Sequence, residues 1–137
     1  MTAWAQSLIR ISNYEVETLQ KRLAEVAGRR QDAEMKLTMM EARVEAERMG
    51  TPSDPQSRMM LHAFLQGFKQ RKIEAEAEIA AIAVEEEGAR DALTAAFEEL
   101  KKFEQVAENT RLQKLLEANK RETAAFDEMG LRRRAAS

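Results

Sequence analysis

Apolar residues recur at alternating steps of three and four along the first third of the chain: Ile9, Val16, Leu19, Leu23, Val26, Ala33, Leu37, Met40 and Val44. A repeat averaging about 3.5 residues holds one narrow stripe on one helix face, the seam of a coiled coil. Ser12 and Arg30 fall in the same register and are its polar interruptions. Trp4, Leu8 and Ile11 keep the spacing one residue out of frame, which predicts a short register adjustment between Ile11 and Val16. The other faces carry Glu17–Lys21 and Glu25–Arg29, acid before base at i,i+4, as suits an exposed helix surface. The pattern predicts a first helix from about Ala3 to about Met49.

The stretch RMGTPSDPQSRMM, residues 48–60, contains both prolines of the chain, Pro52 and Pro55. Gly50 is expected to end the first helix in the left-handed conformation, with a proline close behind that cannot continue it. Ser53 or Asp54 is suited to accept hydrogen bonds from the free N–H groups of a following helix, and Pro55 suits its first position. The chain should therefore reverse at residues 50–55. Beyond the reversal a second stripe runs through Leu61, Leu65, Phe68, Ala75, Ile79, Ile82, Ala89, Leu93, Ala96, Leu100 and Phe103, with Lys72 and Glu86 as polar members. A further frame adjustment is expected before Leu112, Leu116, Asn119, Thr123 and Phe126. The second helix is predicted over about residues 55–133, with bends at Gly67 and Gly88, where glycine costs about 1 kcal/mol against alanine. Each stripe buries the other, so the expected fold is all-α: a single antiparallel coiled-coil hairpin of two long helices, the second longer than the first.

Two features exceed what such a hairpin needs. Paired from the reversal outward, residues 3–49 reach partners only to about residue 103. Val106 to Arg134 then runs on, ~45 Å of helix at 1.5 Å per residue, unless the helix breaks at Gly88. It still carries Leu112, Leu115, Leu116, Phe126 and Met129, and an apolar stripe without a helix to cover it implies another molecule. The second feature is the reversal itself, where Met39, Met40, Met49, Met59, Met60, Leu61, Phe64, Leu65 and Phe68 gather. A two-helix seam takes one residue in three or four, and methionine is favoured on adaptable binding surfaces. The reversal is expected to be a docking surface.

Composition narrows the chemistry. Charged residues make up 34% of the 137 and aromatics 5%, the balance of long helices rather than of a wide globular core. Five isolated glycines and no GxxxxGK stretch leave no phosphate cradle. Without cysteine there is no disulfide framework, thiolate metal site or thiol nucleophile, and His62, the sole histidine, has no companions for zinc. Neighbouring carboxylates at Glu85, Glu86 and Glu87 point in different directions on a helix and are expected to stay solvated. No enzymatic activity, metal or cofactor is expected. No apolar run approaches ~18 residues, so no membrane insertion is expected, and the opening MTAWAQSLIRIS lacks the basic start and apolar core of a secretion signal. The net charge of −2 and the absence of aromatics interleaved with bases speak against nucleic acid. Arg132, Arg133 and Arg134 complement a helix C-terminus; the same triplet would serve an acidic protein surface or anionic lipid.

Three stretches resemble the flagellar type III export protein FliJ family: SLIRISNYEVETLQKRLAEV near the start, LHAFLQGFKQRKIEAEAEI after the reversal, and LLEANKRETAAFDEMGLRRRAA at the end. The chain departs from that family in the shortness of its ends, which puts any extra terminal contact in doubt. The resemblance implies a cytoplasmic two-helix coiled coil, peripheral at the inner membrane through the export apparatus and similar to the central stalk of rotary ATPases. The implied partners are the hexameric flagellar export ATPase, the cytoplasmic domain of the export-gate membrane protein, and export chaperones. It implies ring-facing residues at Leu8, Ile11, Leu112, Leu116, Phe126 and Arg132, and gate-facing residues at Met40, Val44, Arg48, Phe64, Leu65 and Phe68. The alternatives are the equivalent stalk of a virulence-type secretion apparatus, a generic coiled-coil adaptor or homodimeric scaffold, and a lipid or nucleic-acid binder working through the terminal arginines.

Overall fold

The computed structural model describes residues 3–136. Two α-helices, α1 (Ala3–Gly50) and α2 (Pro55–Ala136), follow one another with no strand among the described residues. Residues pair in opposite order along the two helices: Arg30 meets Glu86, whereas Glu41, later in α1, meets Lys72, earlier in α2. The fold is an all-α antiparallel helical hairpin, and its second helix is the longer.

The reversal is built differently from the glycine-capped turn that its sequence suggests. Among the described residues none, Gly50 included, has a positive φ, and Gly50 is simply the last residue of α1. The helix end is instead capped by a side chain, the Thr51 hydroxyl donating to the carbonyl of Glu47. On the other side Asp54 is the N-cap of α2. Its Oδ2 accepts from the Ser57 backbone N–H at 3.0 Å and its Oδ1 from the Ser57 hydroxyl at 2.7 Å. Pro55 then opens the helix where its missing N–H leaves nothing unsatisfied.

The helices pack as two units. In the unit Glu17–Thr94, Val26, Val44, Ile82, Glu86 and Ala89 are buried. Leu19, Leu23, Leu37, Leu61, Leu65, Phe68, Ile79 and Leu93 are half-buried between them. These are the members of the two stripes. Val26 is completely enclosed; Val26→Ala should cost about 2–3 kcal/mol in urea unfolding, the transfer of its lost methyl groups plus the cavity they leave.

In the unit formed by the first 16 residues with 95–137, the buried residues are Ala5, Ser12, Val16, Ala96, Leu100 and Ala107. The spacing therefore continues in frame from Val16 back through Ser12 and Ile9 to Ala5. The adjustment expected near Ile11 does not occur: Trp4 is 60% exposed and Ile11 lies outside the seam with it. Small Ala5 and Ser12 hold the inner positions. On α2 the frame likewise runs on from Phe103 through Ala107 to half-buried Thr110, after which every described residue is exposed. No second buried stripe begins at Leu112. The helix is unbroken through Gly67 and Gly88. At Gly88 a Cβ would meet nothing, and at Gly67 it would make only an ordinary contact.

Candidate functional site

Within the unit Glu17–Thr94 the methionines beside the reversal are exposed, Met40 excepted. Met49 is 87% exposed, and Met39, Met59 and Met60 are nearly as open. They occupy helix faces turned from the seam, as their surplus over the stripe predicts. The six gate-facing candidates are placed unequally. Val44 is buried beneath the surface, Met40, Phe64, Leu65 and Phe68 are half-buried along it, and Arg48 is exposed. An open groove of about 190 Å³ brings Met40, Phe64 and Phe68 together with Arg43 and Arg71. A second, of about 320 Å³, joins Val44, Arg48 and Phe68 to Glu41, Glu45 and Lys72. Leu65 lines neither.

The two grooves differ in charge. In the second, Lys72 pairs with Glu41 at 3.7 Å and Arg48 with Glu45 at 3.8 Å, so opposite charges compensate locally. In the first, the guanidinium carbons of Arg43 and Arg71 each stand 5.8 Å from the centroid of the Phe64 ring, within range of a cation–π attraction. Neither arginine was nominated by the periodicity. On the sequence they are ordinary bases flanking the seam, and only the opposed helix shows that one phenylalanine lies between them.

Farther along the same unit a charged layer interrupts the seam. Glu86 is only 7% exposed, and its carboxylate accepts from Arg30 Nε, with Arg30 Nη2 at 3.5 Å and Arg90 Nη2 at 3.3 Å. Arg30 also reaches Glu34 at 3.0 Å. Glu85 accepts from Arg22 at 2.7 Å and from Arg29 at 3.0 Å. The expectation of a solvated acidic run thus fails at Glu86, which lies on the inner face, and Arg29 turns to Glu85 across the hairpin. Hydrogen bonding from Arg30, chiefly, holds the Glu86 carboxyl below the usual range, and Glu86 in turn raises the Arg30 guanidinium. Asp54 is also lowered, first by the Ser57 hydroxyl.

The ring-facing candidates belong to the other unit. Leu8 is half-buried and Ile11 exposed. Leu112, Leu116 at 62% and Phe126 at 70% are open to solvent, and so are Leu115, Met129 and Leu131. Counting along α2 at about 100° per residue, Leu112, Leu116 and Phe126 fall on the face opposite the line through Ala107 and Thr110. The apolar stripe therefore changes sides where helix-to-helix burial stops. Local pairs support this surface: Arg111 donates to Glu108 at 2.7 Å and Arg132 to Glu128 at 2.9 Å.

No group of three or more potential metal ligands is gathered among the described residues, and no helix there is long and apolar enough to cross a membrane. What the fold offers is surface: a helical-hairpin coiled coil with exposed apolar residues beside its reversal and along the far part of α2. The family model described as flagellar FliJ protein matches residues 5–137. Curated flagellar FliJ proteins of two strains of Caulobacter vibrioides (NA1000/CB15N and ATCC 19089/CB 15) are each 47% identical over 135 residues, covering 98% of this chain and 97% of theirs. No solved structure matches. The chain belongs to the flagellar FliJ family.

Proposed function

We propose that this chain is a stalk-like component of the flagellar type III export apparatus, coupling the hexameric export ATPase to the membrane export gate and so supporting flagellum assembly and motility. The observation that carries this reading is that each of the two units keeps exposed apolar residues although its own seam is already filled. One surface, at Met40, Val44, Arg48, Phe64, Leu65 and Phe68, is assigned to the cytoplasmic domain of the gate protein, with Val44 supporting it from below. The other, at Leu8, Ile11, Leu112, Leu116, Phe126 and Arg132, is assigned to the ATPase ring. The chain works in the cytoplasm, held peripherally at the inner membrane by these partners, and also carries export chaperones. It hydrolyses nothing itself: an asymmetric helical element in a symmetric ring transmits the ring's ATP-driven changes mechanically.

The gate assignment is tested by Phe64→Asp and Phe68→Asp. Each places a charge where a partner needs an apolar ring, and is expected to reduce binding to the purified gate domain at least about tenfold while the circular dichroism stays helical. Undiminished binding by both variants removes the assignment.

A further inference from the structure

We infer that the groove of Arg43, Phe64 and Arg71 recognises an acidic segment of the partner docked beside the reversal, with its carboxylates taken up by the two guanidiniums. This rests on the gate-docking reading and adds to it the side of the hairpin used and the chemistry recognised.

Three observations converge. First, the charges there are uncompensated. Among the described residues neither Arg43 nor Arg71 forms an ion pair or a hydrogen bond with a carboxylate, whereas Lys72 and Arg48 in the second groove both do. Glu47 lines the adjoining groove with Arg43 without pairing to it. Second, the arginines converge although they come from different helices. Arg43 approaches Phe64 from α1, and Arg71 reaches back along α2, with its Nη1 passing 3.5 Å from where a Cβ on Gly67 would stand. Third, the floor is apolar, since Met40 and Phe68 complete the lining. Two planar guanidiniums set against an aromatic ring keep their outward N–H groups free and lose little freedom on binding. That suits planar carboxylates, which they can grip with two bonds each. The groove therefore fits a segment that presents acidic side chains beside an apolar one.

The test uses the full-length chain and the purified cytoplasmic domain of the gate protein, titrated by calorimetry at about 50 and about 300 mM salt. Wild type is expected to bind more weakly at the higher salt. Arg43→Glu/Arg71→Glu should lose at least about tenfold in affinity, with a smaller salt dependence than wild type. Arg58→Glu/Lys69→Glu makes the same change in net charge nearby but outside the groove, and should lose no more than about threefold. Arg43→Gln/Arg71→Gln, which removes charge without adding repulsion, guards against misfolding and should fall between them. Equal losses in the groove and control pairs would show general attraction and overturn the inference. So would unchanged affinity in the Gln pair, and in either case the gate reading survives. Failure of wild type to bind at all overturns both.

Discussion

Deleting residues 112–137 is expected to abolish stimulation of the export ATPase while leaving the paired helices folded. Burial ends at Ala107, with Thr110 half-covered, and every described residue from 111 onward is exposed. The truncation therefore removes surface and no core. Changes of that kind usually move stability by less than about 0.5 kcal/mol, so the thermal midpoint should shift by no more than a few degrees. Activity is a different matter. Leu112, Leu116 and Phe126 lie away from the face that carries the seam, so nothing within the hairpin covers them, and a molecule that does must gain most of its contact from them. In the full-length chain, Leu112→Ala/Leu116→Ala/Phe126→Ala should weaken stimulation of the purified ATPase at least about tenfold, since a few central apolar anchors usually dominate an interface. Turnover measured against chain concentration checks both. Full stimulation by the truncated chain would remove the ring assignment outright.

The seam was legible because its physics is one-dimensional. Val16, Val26, Val44, Ile82 and Leu100 are buried at the positions where steps of three and four put them, and the same count correctly carried Ser12, Arg30 and Glu86 inward despite their polarity. It failed where size misleads. Trp4 and Ile11 look like seam residues because they are large, yet the inner positions beside them belong to Ala5 and Ser12, whose small side chains leave little mark on a hydrophobic pattern. The same holds for Ala107, which extends the seam past Phe103. Gly50 misled for another reason: a glycine before a proline announces a left-handed cap, but the Thr51 hydroxyl already satisfies the free carbonyl of Glu47.

The surfaces were only half legible. A surplus of methionine and phenylalanine beside the reversal, and a stripe beyond the reach of α1, follow from counting residues against helix length. What periodicity cannot supply is the stagger, because one heptad looks much like the next. The meeting of Arg30 with Glu86, and of Arg43 and Arg71 over one phenylalanine, depends on which turn of α2 stands opposite which turn of α1. Chemistry made by two helices together is invisible in either alone.

Replacing Glu86 by leucine is expected to lower the thermal midpoint by on the order of 5 °C, whereas replacing both Arg30 and Glu86 by leucine should restore or raise it. Alone, the substitution leaves the half-buried Arg30 guanidinium facing the seam with only Glu34 as partner; the double substitution removes both charges and fills the layer with apolar volume. A buried pair is costly to break and often no gain over well-packed leucines, so its value here lies in alignment. Glu86 in any other heptad register would be buried without Arg30. The stagger can be read directly because the chain has no cysteine: cysteine pairs introduced across the hairpin in the native register should cross-link in wild type, and the double-leucine variant should also cross-link pairs offset by a heptad. The acid behaviour follows from the same layer. A carboxyl whose folded pKa is depressed contributes stability above its unfolded value and loses that contribution as pH falls through the folded one. Glu86 is lowered from an ordinary value of 4.5, and Asp54 and Glu108 are lowered as well. Wild-type stability should therefore be level across neutral pH and decline below about pH 4.5. The double-leucine variant, which keeps Asp54 and Glu108 but lacks Glu86, should decline more shallowly in urea titrations at successive pH values. Identical acid slopes, together with native-register cross-links alone in both proteins, would show that the turn at residues 51–54 sets the stagger without help from this layer.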